Sequence, residues 1–79
     1  MILPTKHLRE DRALLTLGAE LFVVLREAKT VSRLWSDFSK HRSRGSSPVT
    51  YDWFVLTLDL LFALGVVEFA RGRVMRTRP

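Results

Sequence analysis

The stretch LFALGVVEFARGRV, from Leu61 to Val74, constrains the fold more than any other part of the chain. An apolar run stops at Gly65, two short valine- and phenylalanine-rich segments follow, and Arg71-Gly72 separates them. Glycine just past an apolar helical run is a stop signal, since it adopts the left-handed conformation without a Cβ clash. Two short runs around a glycine-containing turn predict a β-hairpin with Val67, Phe69 and Val74 as its apolar positions, joined by Met75.

The residues before the hairpin read as helices. Leu14, Leu17, Leu21, Leu25 and Ala28 recur at spacings of three and four, which predicts a helix from about Leu8 to Ala28. Leu15 and Phe22 widen its stripe, while Arg12, Thr16, Ala19, Glu20 and Glu27 fall mostly on the other side. Gly18 lies on the apolar side, where it permits close helix approach at a cost of about 1 kcal/mol in helix propensity. Val23 points away from the stripe and hints at a second apolar surface. Thr30 or Ser32 caps a short helix over Val31 to Ser39, with Val31, Leu34, Trp35 and Phe38 on one face. Trp35 reads as a core partner of Phe38; the alternative places it beside Trp53 in an exposed patch. Residues 40–49 gather serines, glycine and proline into a loop. Thr50 and Asp52 offer caps for a third helix from about Tyr51 to Leu64. The opening MILPT suits an edge strand or strap, since Pro4 lacks a backbone donor, and residues 77–79 read as a frayed tail. Helix, short helix, loop, helix and hairpin is the order of a winged-helix domain. The expectation is one α+β domain over residues 1–79, mostly α and winged-helix-like.

Composition removes several functions. A chain of 79 residues buries only roughly 60% of its unfolded surface, so a partner has room to add stability. There is no cysteine, and His7 and His41 stand without a third histidine, so no metal site or cofactor is expected. The N-terminus lacks a signal-peptide core. The greasiest run, Trp53 to Val67, is shorter than the about 20 residues of a membrane span and has Asp59 at its centre. A cytoplasmic protein is expected. No serine–histidine–acid set and no phosphate-cradling glycine loop is present, and Asp52 and Asp59 have no third group to work with, so the reading is a binding module and not an enzyme.

Charge sharpens that reading. The formal charge is +5 and the isoelectric point near 10.8, which normally raises nucleic acid. The basic residues concentrate in Lys40, Arg42 and Arg44 and then in Arg71, Arg73, Arg76 and Arg78, with none from Gly45 to Ala70. The third helix therefore lacks the side chains that read base edges. On a helical wheel Phe54, Leu58, Leu61 and Phe62 form its core stripe, flanked by Thr57 and Leu64. Asp52, Val55, Leu56, Asp59 and Ala63 face the other way, and Trp53 and Leu60 share a border. A helix apolar nearly all round is normally covered on more than one side. Either the core swallows more of it than the wheel suggests, or Tyr51, Asp52, Trp53, Leu56, Asp59 and Leu60 dock another protein with Tyr51 and Trp53 as anchors. Arg42, Arg44, Arg71 and Arg73 are candidate phosphate contacts flanking that helix, the alternative being a solvated basic rim.

MILPTKHL, TVSRLWSDF and YDWFVLTLDLLFALGVVEFARGRV together resemble the small middle components of bacterial ABC-three-component systems, over most of the chain outside SKHRSRGSSP. The resemblance implies a bacterial antiphage or antiplasmid system with relatives in the Lamassu type. It further implies a non-enzymatic adaptor subunit between an SMC-like ABC ATPase and an effector that carries a nuclease or other toxic domain, with any DNA contact indirect or non-specific and no membrane involved. The competing expectation is a free-standing winged-helix DNA-binding protein or transcriptional regulator. That alternative predicts duplex binding that depends on Arg42, Arg44, Arg71 and Arg73.

Overall fold

The computed structural model describes residues 5–43 and 49–77, with side chains over 12–42 and 49–77. Met1 to Pro4, Arg44 and the last two residues lie outside the described residues, and with them the expected N-terminal strand. Three helices are followed by one hairpin: α1 Thr5–Val24, α2 Val31–Ser43, α3 Tyr51–Ala63, β1 Val67–Ala70 and β2 Arg73–Arg76. This is the mostly helical, winged-helix-like arrangement that the element order predicts.

The helix ends show which signals are local. Thr50, in extended conformation, accepts the Trp53 amide on its side-chain oxygen at 3.3 Å and starts α3 where predicted. At the other end Gly65 has φ 76°; its amide reaches the Phe62 carbonyl at 3.0 Å and the Val66 amide reaches Leu61 at 3.2 Å. That pair of bonds is a Schellman motif, and it requires the left-handed residue that glycine supplies. The other two helices depart from expectation. α1 starts at Thr5 and stops at Val24, four residues before Ala28. Beyond it the backbone turns so that Lys29 and Val74 exchange hydrogen bonds of 3.0 and 2.7 Å. α2 runs on to Ser43, past Ser39, so the loop begins later than residue 40. Its final turn holds Lys40 and Arg42, cations that favour a helix C-terminus.

β1 and β2 pair antiparallel, Val67 with Arg76 through Ala70 with Arg73, and Lys29 bridges to Val74 on the far edge of β2. The two-residue connection has positive φ at both positions, 56° at Arg71 and 77° at Gly72, the signature of a type I′ turn. Thr77 is not loose: its amide donates to the Val66 carbonyl at 3.0 Å.

The core draws on every element. Leu17, Leu21 and Leu25 pack with Leu34 and Phe38, with Phe54, Leu58 and Leu61, and with Val67 and Val74. Phe54 sits at its aromatic centre, with ring centroids 5.2 Å from Trp35, 6.0 Å from Phe38 and 5.6 Å from Tyr51. Trp35 is half-buried against this core, so the core reading holds. Thr57 is fully buried and donates its hydroxyl to the Trp53 carbonyl at 2.7 Å, which satisfies it within the helix. Phe69 shares a sheet face with Val74 yet lies on the outer strand and is 57% exposed.

Gly18 is buried between α1 and α3, but close approach does not require it. A Cβ there would stand 3.6 Å from Leu61 Cδ2 and 3.7 Å from Leu60 Cδ2, ordinary contact distances. Gly18→Ala is therefore expected to stabilise the fold by roughly 0.5–1 kcal/mol through helix propensity, read as a rise in urea midpoint at unchanged slope.

Candidate functional site

α3 divides cleanly. Phe54, Thr57, Leu58 and Leu61 are buried inward, whereas Tyr51, Asp52, Val55, Leu56, Asp59 and Ala63 are exposed. Tyr51 and Leu56 each keep about half of their surface in solvent, at 49% and 48%. The core therefore does not swallow the outward face of this helix, and an apolar strip with carboxylates two turns apart is left on the surface. Asp52 also lies in the first turn, where the helix dipole favours a negative charge.

Trp53 and Leu60 are placed differently from the other four candidates. Both are half-buried and turn toward α1. Trp53 lines a depression of about 260 Å³ with Ala13, Leu17, Val49 and Thr50. Leu60 lines another of about 230 Å³, whose walls include Leu15, Gly18, Ala19, Phe22, Leu64 and Val66. Leu15 and Leu64, which the sequence pattern places at the margins of the core stripes, are 61% and 60% exposed. The crossing of α1 over α3 leaves both at the outer lip of the seam. The excess of leucine over one stripe, and the outward Val23, were the available signals for this second apolar surface.

Of the four candidate phosphate contacts, Arg42 is engaged within the fold. Arg42 donates from Nη1 to Glu20 Oε1 and Oε2 at 2.8 and 3.0 Å and ties the end of α2 to the middle of α1. Its side chain is only 14% exposed, the mark of a packed ion pair and not of a mobile loop cation. Arg44 lies outside the described residues. Arg71, at the turn, and Arg73 are exposed. Arg76, further along β2, places its guanidinium 4.1 Å from the Phe22 ring centre and donates to the Phe22 carbonyl at 2.6 Å.

One carboxylate has a defined electrostatic role. Asp37 accepts from Lys29 Nζ at 2.5 Å and from Arg33 Nε at 3.3 Å. The hydrogen bond from Lys29 is the main cause that holds its pKa below the ordinary carboxylate value; partial burial opposes it, and the charges of Lys29 and Arg33 assist. A carboxyl depressed in the folded state contributes stability above its unfolded pKa, about 3.9, and loses it as pH falls through the lower folded value. The difference in Tm between the native chain and Asp37→Asn is therefore expected to be flat from about pH 7 to 5 and to close below about pH 4.

Among the described residues there is no group of three His, Asp or Glu side chains placed to hold a metal, and no helix long and apolar enough to cross a membrane. What α3 offers is contact chemistry: aromatic and aliphatic surface beside fixed negative charge. Fold and face together define a small winged-helix-like structure whose third helix is packed on one side and exposed on the other. The chain belongs to the family of ABC-three component (ABC-3C) system Middle Component 6, whose model matches residues 3–77. No curated protein and no solved structure matches it.

Proposed function

We propose that this middle component is a non-catalytic adaptor that works in the cytoplasm of a bacterium and joins the ABC ATPase of its system, an SMC-like one, to the effector. Membership of a three-component system implies partner subunits. The observation that carries the reading is the exposed strip Tyr51, Val55 and Leu56 between Asp52 and Asp59, on a helix whose opposite side already fills the core. Protein interfaces are built around such aromatic and aliphatic anchors. Trp53 and Leu60 border the strip and connect it to the α1 seam. The regulator alternative loses support on the same helix, since α3 carries none of the Arg, Lys, Asn or Gln side chains that read base edges in pairs of bonds and both carboxylates would repel phosphate.

The test is co-expression of all three components with an affinity tag on this chain. Recovery of both other subunits, and loss of ATPase–effector association when this chain is left out, supports the adaptor. Elution of the chain alone, or ATPase–effector association without it, overturns it.

A further inference from the structure

The turn after α1 carries a basic surface that shares no residue with the α3 face. One depression of about 330 Å³ is lined by Val24, Arg26, Lys29, Asp37, Lys40 and His41. A second, of about 300 Å³, is lined by Glu27, Ala28, Lys29, Thr30, Arg33 and Arg73. Lys29 lines both, and the Lys29–Asp37–Arg33 ion pairs join them, so they are adjoining halves of one crescent. Among the lining residues Arg26, Lys29, Arg33 and Arg73 face two carboxylates, Asp37 and Glu27, and Asp37 is already engaged within the crescent. Arg26, Arg33 and Arg73 are exposed.

We infer that this crescent binds the phosphodiester backbone of a nucleic-acid duplex, independently of base sequence. The cations are spread along two depressions and do not converge on a point, which suits a polyanion with closely repeated charge. Three of them are arginines, whose guanidinium forks match phosphate oxygens in pairs. Protein–protein interface cores favour aromatic and disfavour charged side chains, and no Phe, Tyr or Trp lines the crescent. Arg26, Arg33 and Arg73 come from a turn, a helix start and a strand start, so no single element presents a row of side chains to base edges, and the contact positions the duplex without reading it. The inference also relocates the phosphate contacts, from a clamp around α3 that included Arg42 to the connection between α1 and α2 and the adjoining strand β2.

Fluorescence anisotropy on the full chain tests it, with a labelled duplex of about 20 base pairs supplied as DNA and as RNA in two unrelated sequences each. Binding is expected to be equal between sequences and to fall with salt at a log–log slope of about −2 to −4. Arg26→Glu and Arg73→Glu are each expected to weaken it roughly ten-fold and to flatten the slope by about one. Arg12→Glu makes the same charge change at an exposed position in the first half of α1 and is expected to shift affinity by less than about three-fold. Binding to either duplex with this pattern supports the site, and the preferred duplex identifies the source of the backbone. Absence of binding to both, insensitivity to salt, or an equal loss in Arg12→Glu overturns it. Because the assay needs neither the ATPase nor the effector, its failure is separable from failure of the adaptor reading.

Discussion

Replacing Phe54 with alanine is expected to leave the chain largely unfolded at 25 °C. Phe54 is fully buried and its ring meets Trp35, Phe38 and Tyr51, so truncation removes the shared neighbour of three aromatic side chains from two helices. Buried Phe→Ala changes cost about 3–5 kcal/mol. A single core in a chain of about this length rarely supplies more than about 3–5 kcal/mol, near the low end of the roughly 0.05–0.15 kcal/mol per residue of native proteins. Circular dichroism should show loss of helix, and denaturant titration should lose its folded baseline. Phe54→Leu keeps most of the volume and is expected to stay folded with a lowered midpoint. A cooperative transition for Phe54→Ala within about 1 kcal/mol of the native chain would show that the aromatic cluster is not the keystone of the core.

The second large effect is expected at assembly and not at folding. Leu56→Asp places a third carboxylate on the strip between Asp52 and Asp59, at a position already half in solvent. Surface substitutions of this kind usually change stability by no more than about 0.5 kcal/mol. If the strip is the adaptor's docking face, truncating or charging a central anchor costs about 2 kcal/mol or more of binding, roughly a 30-fold loss of affinity. Tyr51→Ala should follow the same pattern more weakly. Trp53→Ala is expected to impair assembly more than charge reversal at Arg71 and Arg73, but Trp53 also packs on the core, so its result has to be paired with a melting curve. Undiminished recovery of the partners by a folded Leu56→Asp chain would remove this face from the interface.

How much of this was legible in the sequence depended on distance along the chain. The start and stop of α3 were readable because both causes are local: the Thr50 oxygen reaches Trp53, and Gly65 supplies a backbone angle at its own position. The inward set Phe54, Leu58 and Leu61 was readable because helical periodicity is local too. The end of α1 was not. Its leucine spacing continues through Leu25 to Ala28, but the backbone there is bent by pairing of Lys29 with Val74 near the opposite end of the chain. α2 was read short for the same kind of reason. Its last turn has the composition of a loop, and Arg42 is packed by Glu20, 22 positions away on another helix. The exposed strip itself was visible on the wheel, whereas Leu15 and Leu64 turned outward because of how α1 crosses α3, which no single-helix projection contains. The crescent was hidden as well, since Arg26, Arg33 and Arg73 come from three segments that only the fold brings together.

The Lys29–Val74 bridge also fixes how the hairpin moves. With β1 bonded to one edge of β2 and Lys29 to the other, β2 is the middle of a three-ply seam and not a free ribbon. The same Lys29 holds Asp37 on α2 through its side chain. A load applied at the Arg71-Gly72 tip therefore has two exits: through β2 into the α1–α2 connection and on to the second helix, and through β1 and Val66 into the end of α3. The hairpin is in effect a clasp pinned on both sides, at residue 29 and at the end of α3, so traction on its tip would be shared between the second and third helices.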